Sequence, residues 1–439
     1  MRILVIGINY WPDETGIAPF NTGRCEFLAS RGHEVTVCTA PPYYPQWRVP
    51  REYRGHFVGR EYRNGVTILR SWLYVPRRVT FAKRMIHETS FIMTSLLNAL
   101  RTNRPDIIVV ISAPLGLGLS ATILSKIRRT PFVFHVEDIQ PDAAADLGMM
   151  RSEALARSLY ALERFIYRRA ELVTTLTEGM RSRIIAKGTP EHKVALSRHW
   201  SESRLFEVPI GSATSDFRRR NKLENKFVVI HAGNMGVKQG LEVVLGAANL
   251  TRSDGDITYL FVGDGAAAPA LLKQAATLSL PNVRFAGVHY GADFRDILSA
   301  GDVCLVTQRR GVADILFPSK VLTLLAAGRP IVASISPDTE VARVLEESAA
   351  ALLVEPESPQ LLAGAIVSLR QNPLRLCQMA ALGREYALSR WSRQEALTAM
   401  EQQLLAVAAR HNSNLTRKTE RKGITNERLG NRFERSNRL

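Results

Sequence analysis

The sequence predicts an α/β protein built as two doubly wound, parallel-sheet domains in series that face each other across a cleft. Short β-branched runs alternate with longer helical patterns, as parallel strands joined by crossover helices require. The runs are apolar almost without alternation, which suits strands covered on both faces. At 439 residues the chain exceeds one ordinary hydrophobic core, so two domains of about 200 residues each are expected.

In the first half, strands are expected at residues 3–7, 34–39, 66–70, 107–111, 132–136, 172–176 and 194–196. In the second they are expected at 227–232, 259–262, 283–285, 303–306, 331–334 and 351–354. The stretch from Glu207 to Asn225 holds Pro209, Gly211, Ser212, Ser215 and the run Arg218-Arg219-Arg220, a linker composition. The expected organisation is therefore a first domain over 1–206, a linker over 207–225, and a second domain over 226–390. An amphipathic helix over 391–410 and a basic, disordered tail over 411–439 follow. The tail carries eight Lys/Arg, three Glu and almost no apolar side chains, too little to offset the entropy of ordering.

The segment from Ile107 to Leu124 is long enough to raise the question of a membrane span. Ser112, Pro114, Gly116, Gly118 and Ser120 interrupt it, so it reads as a strand, a turn and a helix start. A single Arg2 precedes the first strand, whose apolar run is too short for a signal peptide, and a cytosolic protein is expected. The four cysteines, Cys25, Cys38, Cys304 and Cys377, form no CxxC pair and read as free thiols in a reducing compartment.

Charge sets the class of partner. A formal charge of +17 and a pI near 10.1 favour anionic ligands: nucleic acid, nucleotide-linked metabolites or acidic lipid. The belt from Arg48 to Arg104 holds twelve Lys/Arg against three Glu, interleaved with Trp47, Tyr53, Phe57, Tyr62, Trp72, Tyr74 and Phe81. Behind it, Met85, Phe91, Ile92, Met93, Leu96, Leu97 and Leu100 form a broad apolar helical surface. The belt suits either an anionic bilayer surface or a solvated charged face over a core helix.

Five segments are candidates for chemistry. Phe317-Pro318-Ser319-Lys320 opens a helix ending at Gly328, and Ser319 serves either as an ordinary N-cap or, with Lys320, as part of a phosphate site. Gly233-Asn234-Met235-Gly236-Val237-Lys238 follows a strand and resembles a phosphate-receiving loop without the Walker pattern. Gly263-Asp264-Gly265 ends the next strand, where Asp264 serves a turn or approaches a nucleoside hydroxyl. The first loop, Gly7 to Gly16, is not GxGxxG, and Thr39 stands where a dinucleotide-binding acid is expected. Gly16 either meets an anion at the following helix or serves the turn alone. The run His135-Val136-Glu137-Asp138 places titratable groups at a sheet edge, as acid/base or hydrogen-bonding candidates. Asp254-Gly255-Asp256 precedes a strand and reads as a turn, not a metal site. No Ser-His-Asp order, HExxH or other metal spacing is present, and no metal is expected.

These loops together resemble the retaining family 4 glycosyltransferases of GT-B fold, especially the branch that builds exopolysaccharides such as colanic acid. The resemblance is carried by Asn9-Tyr10-Trp11-Pro12-Asp13-Glu14-Thr15-Gly16, Arg31-Gly32-His33-Glu34-Val35, Ala40-Pro41-Pro42-Tyr43-Tyr44-Pro45, Gly233-Asn234-Met235-Gly236, Gln239-Gly240-Leu241 and Pro318-Ser319-Lys320. It extends from Met1 to about Ala409. It implies two Rossmann-like domains, with a nucleotide-sugar donor held mainly by the second and the acceptor by the first. The C-terminal helix would cross back to the first domain.

By that likeness Lys320 and Lys238 neutralise the donor diphosphate, aided by the backbone at Gly16 and Gly236. Asp264 and Val288 lie near the nucleoside, and Asp138 or His135 near the transferred sugar. Gly233, Asn234, Gly263 and Ser319 complete the donor loops. Two departures stand out. The positions of a paired-glutamate motif fall on Ile315 and Thr323, with Asp314 as a shifted substitute for the first, and the usual Arg and Lys of the phosphate loop are Asn234 and Gln239. The implied activity is sugar transfer without a cofactor onto a polyprenyl-diphosphate-linked glycan, by a cytoplasmic enzyme peripheral to the inner face of the plasma membrane. The alternatives are a nucleotide-sugar epimerase of the same architecture and a basic nucleic-acid-binding protein. No helix-turn-helix, zinc-finger or RNA-recognition signature supports the latter.

Overall fold

A computed structural model describes residues 1–14, 16–44, 46–142, 152–211, 215–311 and 319–413. The first half contains β1 (Arg2–Ile6), α1 (Ala18–Ser30), β2 (Glu34–Thr39), β3 (Val58–Arg63), β4 (Val66–Ser71), α2 (Phe81–Leu100), β5 (Ile107–Ser112) and α3 (Leu117–Arg128). It continues with β6 (Phe132–Val136), α4 (Glu153–Arg169), β7 (Leu172–Thr175), α5 (Glu178–Ala186) and β8 (Val194–Leu196). These strands form a sheet in the order β3-β4-β2-β1-β5-β6-β7-β8, parallel except for β3 against β4.

The second half contains α6 (Asp216–Arg220), β9 (Phe227–Ala232), α7 (Glu242–Leu250), β10 (Ile257–Val262), α8 (Ala268–Thr277), β11 (Val283–Ala286), α9 (Gly291–Ala300) and β12 (Val303–Thr307). Then come α10 (Ser319–Ala326), β13 (Ile331–Ser334), α11 (Glu340–Glu347), β14 (Ala351–Val354), α12 (Pro359–Arg370), α13 (Pro373–Arg390) and α14 over residues 393–413. Its sheet is parallel, in the order β11-β10-β9-β12-β13-β14.

In both sheets the strand order reverses beside the first strand, at β1/β5 and at β9/β12. Ligands of open α/β sheets bind outside the strand C-termini at such a reversal. The loops after β1 and β9 therefore occupy the two binding positions that the topology offers. The apolar strands explain the arrangement: Val228, Val229 and Ile230 of β9 are all buried, their side chains divided between core layers on opposite faces of the sheet.

The structure changes two expectations and agrees with a third. The strand β3 was not anticipated, because its residues are polar and never fully buried; it is held at the sheet edge by a hairpin through Asn64 and Gly65, both at positive φ. The segment from Glu207 to Asn225 is not an open linker along its described residues. Phe217 and Leu223 enter the second domain's core, and Arg218 binds the Lys226 carbonyl at 2.7 Å and the Asp302 carboxylate. The segment from Ile107 to Leu124 is β5, a turn and the start of α3, and no described helix is long and apolar enough to cross a membrane.

Helix α14 crosses back to the first domain, where Leu397, Met400, Leu404 and Val407 join the core of Ile3, Val5 and Phe27. Its Glu401 binds His33 at 3.0 Å and Arg31 at 3.2 Å. Residues 411–413 continue this helix; the rest of the tail lies outside the described residues.

Candidate active site

The loops after β9 and β10 interlock through glycine. Gly233 (φ +119°) donates to the Val262 carbonyl at 2.9 Å, and Met235 donates to the Asp264 carbonyl at 2.8 Å. A Cβ on Gly263 (φ +127°) would lie 2.0 Å from the Gly233 oxygen, and one on Gly265 2.5 Å from the Met235 oxygen. No other residue permits this approach. The paired loops thus form a fixed backbone surface at the reversal point of the second sheet.

Lys320, in the first turn of α10, reaches over that surface. Its Cε would lie 3.4 Å from a Cβ placed on Gly233, and its Nζ stands 3.4 Å from His231 Nδ1. None of the described carboxylates forms an ion pair with it. Burial pushes its pKa down to about 7, because an unneutralised ammonium loses hydration there. The same burial, together with the Lys320 charge, drives His231 well below its ordinary range, so that imidazole is neutral. An anion at this position would supply the missing counter-charge.

Lys238 sits on the short turn Val237–Gln239 and approaches Asp138 at the end of β6. Burial lowers the Lys238 pKa, and Asp138 opposes that shift. Burial raises the Asp138 pKa, while Lys238 and Arg84 oppose it. These reciprocal effects bring the end of β6 and the glycine loop of the second domain within electrostatic reach of each other.

The other candidate positions divide. Gly16 (φ +63°) lies two residues before α1, ahead of its N-cap Ile17, and is exposed. The Gly236 amide is occupied by the Gln239 side-chain oxygen at 3.3 Å, so in this arrangement it does not face an anion. Asn234 is exposed beside it. Asp264 accepts its neighbour's amide, Gly265 N–H, at 2.7 Å, which is turn chemistry, and its side chain remains exposed at the rim. Val288 is 42% exposed just beyond β11, on a loop tied to Gly263 by the Gly287 carbonyl at 3.0 Å. Thr323 lies one turn along α10 from Lys320. Ser319 begins α10, and Asp314 lies outside the described residues. Asp254 and Asp256 both pair with Arg370, the latter at 2.9 Å, and hold a turn.

His135 does not stand in the cleft. It is buried in β6, with Nδ1 at 2.9 Å from Thr174 Oγ1 and Nε2 at 3.0 Å from Glu137 Oε1. Burial and the Arg24 charge bring it down to about 4, so it is neutral near pH 7. The hub of this cluster is Glu137, present in the titratable run read from the sequence but given no role of its own: it also lies 2.8 Å from Arg24 and 2.9 Å from His199. Although burial opposes ionisation, these partners together hold the Glu137 carboxyl well below its ordinary value. The cluster ties α1, β6 and the chain leaving β8 into one unit beneath Asp138. The one available signal was the i, i+2 placement of His135 and Glu137 as β6 ends.

Two further features were not legible. The loop after β1 is held by Asn21 and Arg70, whose side chains donate to the Asn9 and Trp11 carbonyls at 2.9 and 2.7 Å. It presents Asp13, which burial raises to about 6. Across the domains, Gly179 N–H, in the first turn of α5, donates to Glu340 Oε2 at 2.8 Å. The negative charge thus lies at a helix N-terminus.

Comparison with known proteins shows the family. Residues 15–198 match the glycosyl transferase 4-like domain, and residues 226–372 match glycosyl transferases group 1. The chain is 35% identical over 394 residues to WcaI, a glycosyl transferase of Escherichia coli (strain K12) named for colanic acid biosynthesis, covering 88% of this chain and 95% of that one. Among solved structures, HepE of Anabaena in complex with UDP superposes with a TM-score of 0.67 at 17% identity, covering 92% of this chain and 100% of that one. Sucrose-phosphate synthase of Thermosynechococcus elongatus reaches 0.73 at 16% identity, covering 93% and 99%. The chain belongs to the family 4 glycosyltransferases of GT-B fold, in the branch exemplified by the colanic acid biosynthesis enzyme.

Proposed function

We propose that this glycosyltransferase takes a hexosyl group from a nucleotide-sugar donor and passes it, with retention of configuration, to a polyprenyl-diphosphate-linked glycan in cell-surface polysaccharide assembly. The observation that carries the reading is Lys320, a partly buried cation without an ion-pairing carboxylate among the described residues, poised over the Gly233 backbone. The donor part is supported by HepE, solved with UDP and with UDP-glucose. The polysaccharide part is supported by WcaI, named for colanic acid biosynthesis.

Breaking the bond between the anomeric carbon and the phosphate oxygen builds negative charge on the diphosphate and positive charge on the sugar. Lys320 and Lys238 are placed to stabilise the first without reorganising, which is how preorganised charge lowers such a barrier. Asp138, on the opposite wall, is placed to orient the sugar. The acceptor hydroxyl forms the new bond on the face the diphosphate leaves, and its proton passes to the departing phosphate oxygen. No protein nucleophile and no metal is required in this scheme. Closure of the cleft would exclude water and suppress donor hydrolysis.

Thermal denaturation with UDP, GDP and ADP tests the donor site and identifies the base, because a ligand bound only to the native state raises the melting temperature. Stabilisation by one of them, lost in Lys320→Ala with the fold intact, supports the reading. An unchanged response in that variant, or transfer undiminished, refutes the assigned role. Activity that survives chelation by EDTA is expected. The acceptor places the enzyme on the cytoplasmic face of an anionic membrane.

A further inference from the structure

The outer faces of α2 and α3 carry apolar side chains where a helix of a water-surrounded domain ordinarily carries charge. On α2, Ile86, Met93 and Leu97 are 55%, 58% and 49% exposed; on α3, Leu119, Ile123 and Ile127 are 39%, 46% and 58% exposed. Each set follows helical spacing, so each is a stripe. The helices are neighbours: Ser120 Oγ lies 3.4 Å from the Ile92 carbonyl, and a Cβ on Gly116 would lie 2.6 Å from Ile92 Cδ1. Their C-terminal ends also meet, where Arg128 donates to the Leu100 carbonyl and, at 3.1 Å, to the Thr102 carbonyl. The stripes therefore run side by side along at most about 18 Å, the length of the twelve residues of α3.

Charge frames this band at both ends. Arg77, Arg78, Lys83 and Arg84 are exposed at the start of α2, and Arg101, Arg104, Lys126 and Arg129 at the shared far end. Helix α3 contains no acidic residue, and the lone acid of α2, Glu88, is paired with Arg84 at 2.9 Å. The belt expected from Arg48 to Arg104 included only half of this surface. Phe91, counted there as part of the apolar surface, is buried, and α3 lies beyond it in sequence.

We infer that the paired α2–α3 face is the surface by which this enzyme docks on an anionic lipid bilayer, with its apolar stripes among the acyl chains and its basic ends on the headgroups. An interfacial surface needs this combination of apolar area and flanking Lys/Arg. A second copy of the chain fits the band less well, since a two-fold contact would bring the basic ends of one protomer towards those of the other. The inference rests on the proposed lipid-linked acceptor and makes its delivery concrete: near the start of α2, His87 packs on Tyr43 in the loop after β2, with ring centroids 4.8 Å apart, at the sheet edge where ligands of such folds bind. A diphosphate-linked lipid lying in the bilayer would thus approach that edge.

The test is flotation of the full-length protein with phosphatidylglycerol-containing and pure phosphatidylcholine vesicles in roughly 0.1 M salt. Ile123→Asp/Ile127→Asp is compared with the native chain, leaving the basic C-terminal segment unchanged in both. The expected result is selective flotation with the anionic vesicles and a partition coefficient lowered about tenfold or more by the double substitution, with an unchanged melting temperature. Ile123→Ala/Ile127→Ala should give a smaller loss. Flotation of the aspartate variant like the native chain overturns the inference. So does native protein that ignores anionic vesicles, or that light scattering shows to be a dimer dissolved by the same substitutions. Nucleotide stabilisation is measured in parallel: its failure with flotation intact removes the donor reading alone, and the reverse outcome removes the docking face alone.

Discussion

Lys320 Nζ stands 3.4 Å from His231 Nδ1, a cation beside a ring that must stay neutral to remain its neighbour. With its pKa lowered from 10.5 to about 7, Lys320 binds fewer protons in the folded than in the unfolded chain between those two values. Stability therefore rises with pH across that window, and the penalty of the buried charge is fully present below about pH 7. Lys320→Met should raise the melting temperature at pH 7 and flatten its rise from pH 7 to 10. It should also lower kcat by ~10²–10³.

The same lysine couples nucleotide binding to protons. A diphosphate favours the ammonium form, so binding at pH 8 should take up close to one proton, and affinity should fall as pH rises above 7. Calorimetry in two buffers of different ionisation enthalpy measures the uptake. Equal heats in both buffers would remove Lys320 from contact with the diphosphate.

Glu137 holds His135, His199 and Arg24 within 3.0 Å. Removing one partner of such a buried cluster costs about 3–5 kcal/mol, so Glu137→Ala should lower the melting temperature sharply, with activity lost through disorder at Asp138. Acid acts in the same direction. His135 titrates at about 4 when folded and 6.5 when unfolded, so its contribution is present above pH 6.5 and is lost towards pH 4. The depressed Glu137 carboxyl adds a loss below about 4.5. Melting curves from pH 8 to 4 should show this decline, and His135→Asn should flatten the part between 6.5 and 4.

Gly263→Ala should disable the donor loop. Its Cβ would meet the Gly233 oxygen at 2.0 Å, and the φ of +127° is itself strained for alanine. A loss of ~2 kcal/mol or more is expected, together with lost nucleotide stabilisation. Gly255→Ala, whose Cβ meets nothing within 4 Å, is the control and should change the melting temperature little.

Glu340 accepts Gly179 N–H across the two domains at 2.8 Å. Glu340→Gln keeps an acceptor but removes the charge at the α5 N-terminus, a change worth about 0.3–1 kcal/mol. Glu340→Ala removes both. A graded rise in donor hydrolysis relative to transfer is expected, measured by release of free sugar. Equal ratios in all three proteins would mean that this contact does not govern closure.

Most strands were legible because a buried parallel strand must be a compact apolar run. Phe132–Val136, for example, is buried at every position. Strand β3 escaped because Gly59, Arg60, Glu61 and Arg63 occupy an edge that water can reach. The turn Asn64-Gly65 was its only local mark. The stretch around Phe217 carries linker composition, yet Arg218 and Phe217 are anchored by Asp302 and the second core. Composition records polarity, not the partners that neutralise it.

The sequence alone determined that this chain makes two parallel sheets with glycine-bearing loops after their leading strands, and that Lys238 and Lys320 lie near such loops. Those properties follow from local periodicity and from which residues a tight turn admits. Only the tertiary structure decided that Gly263 must clear the Gly233 carbonyl, that Glu137 gathers residues from positions 24, 135 and 199, and that α3 lays its apolar stripe beside that of α2. Each of these depends on segments distant in the chain meeting in space, and desolvation and shape act on the pair only after they have met.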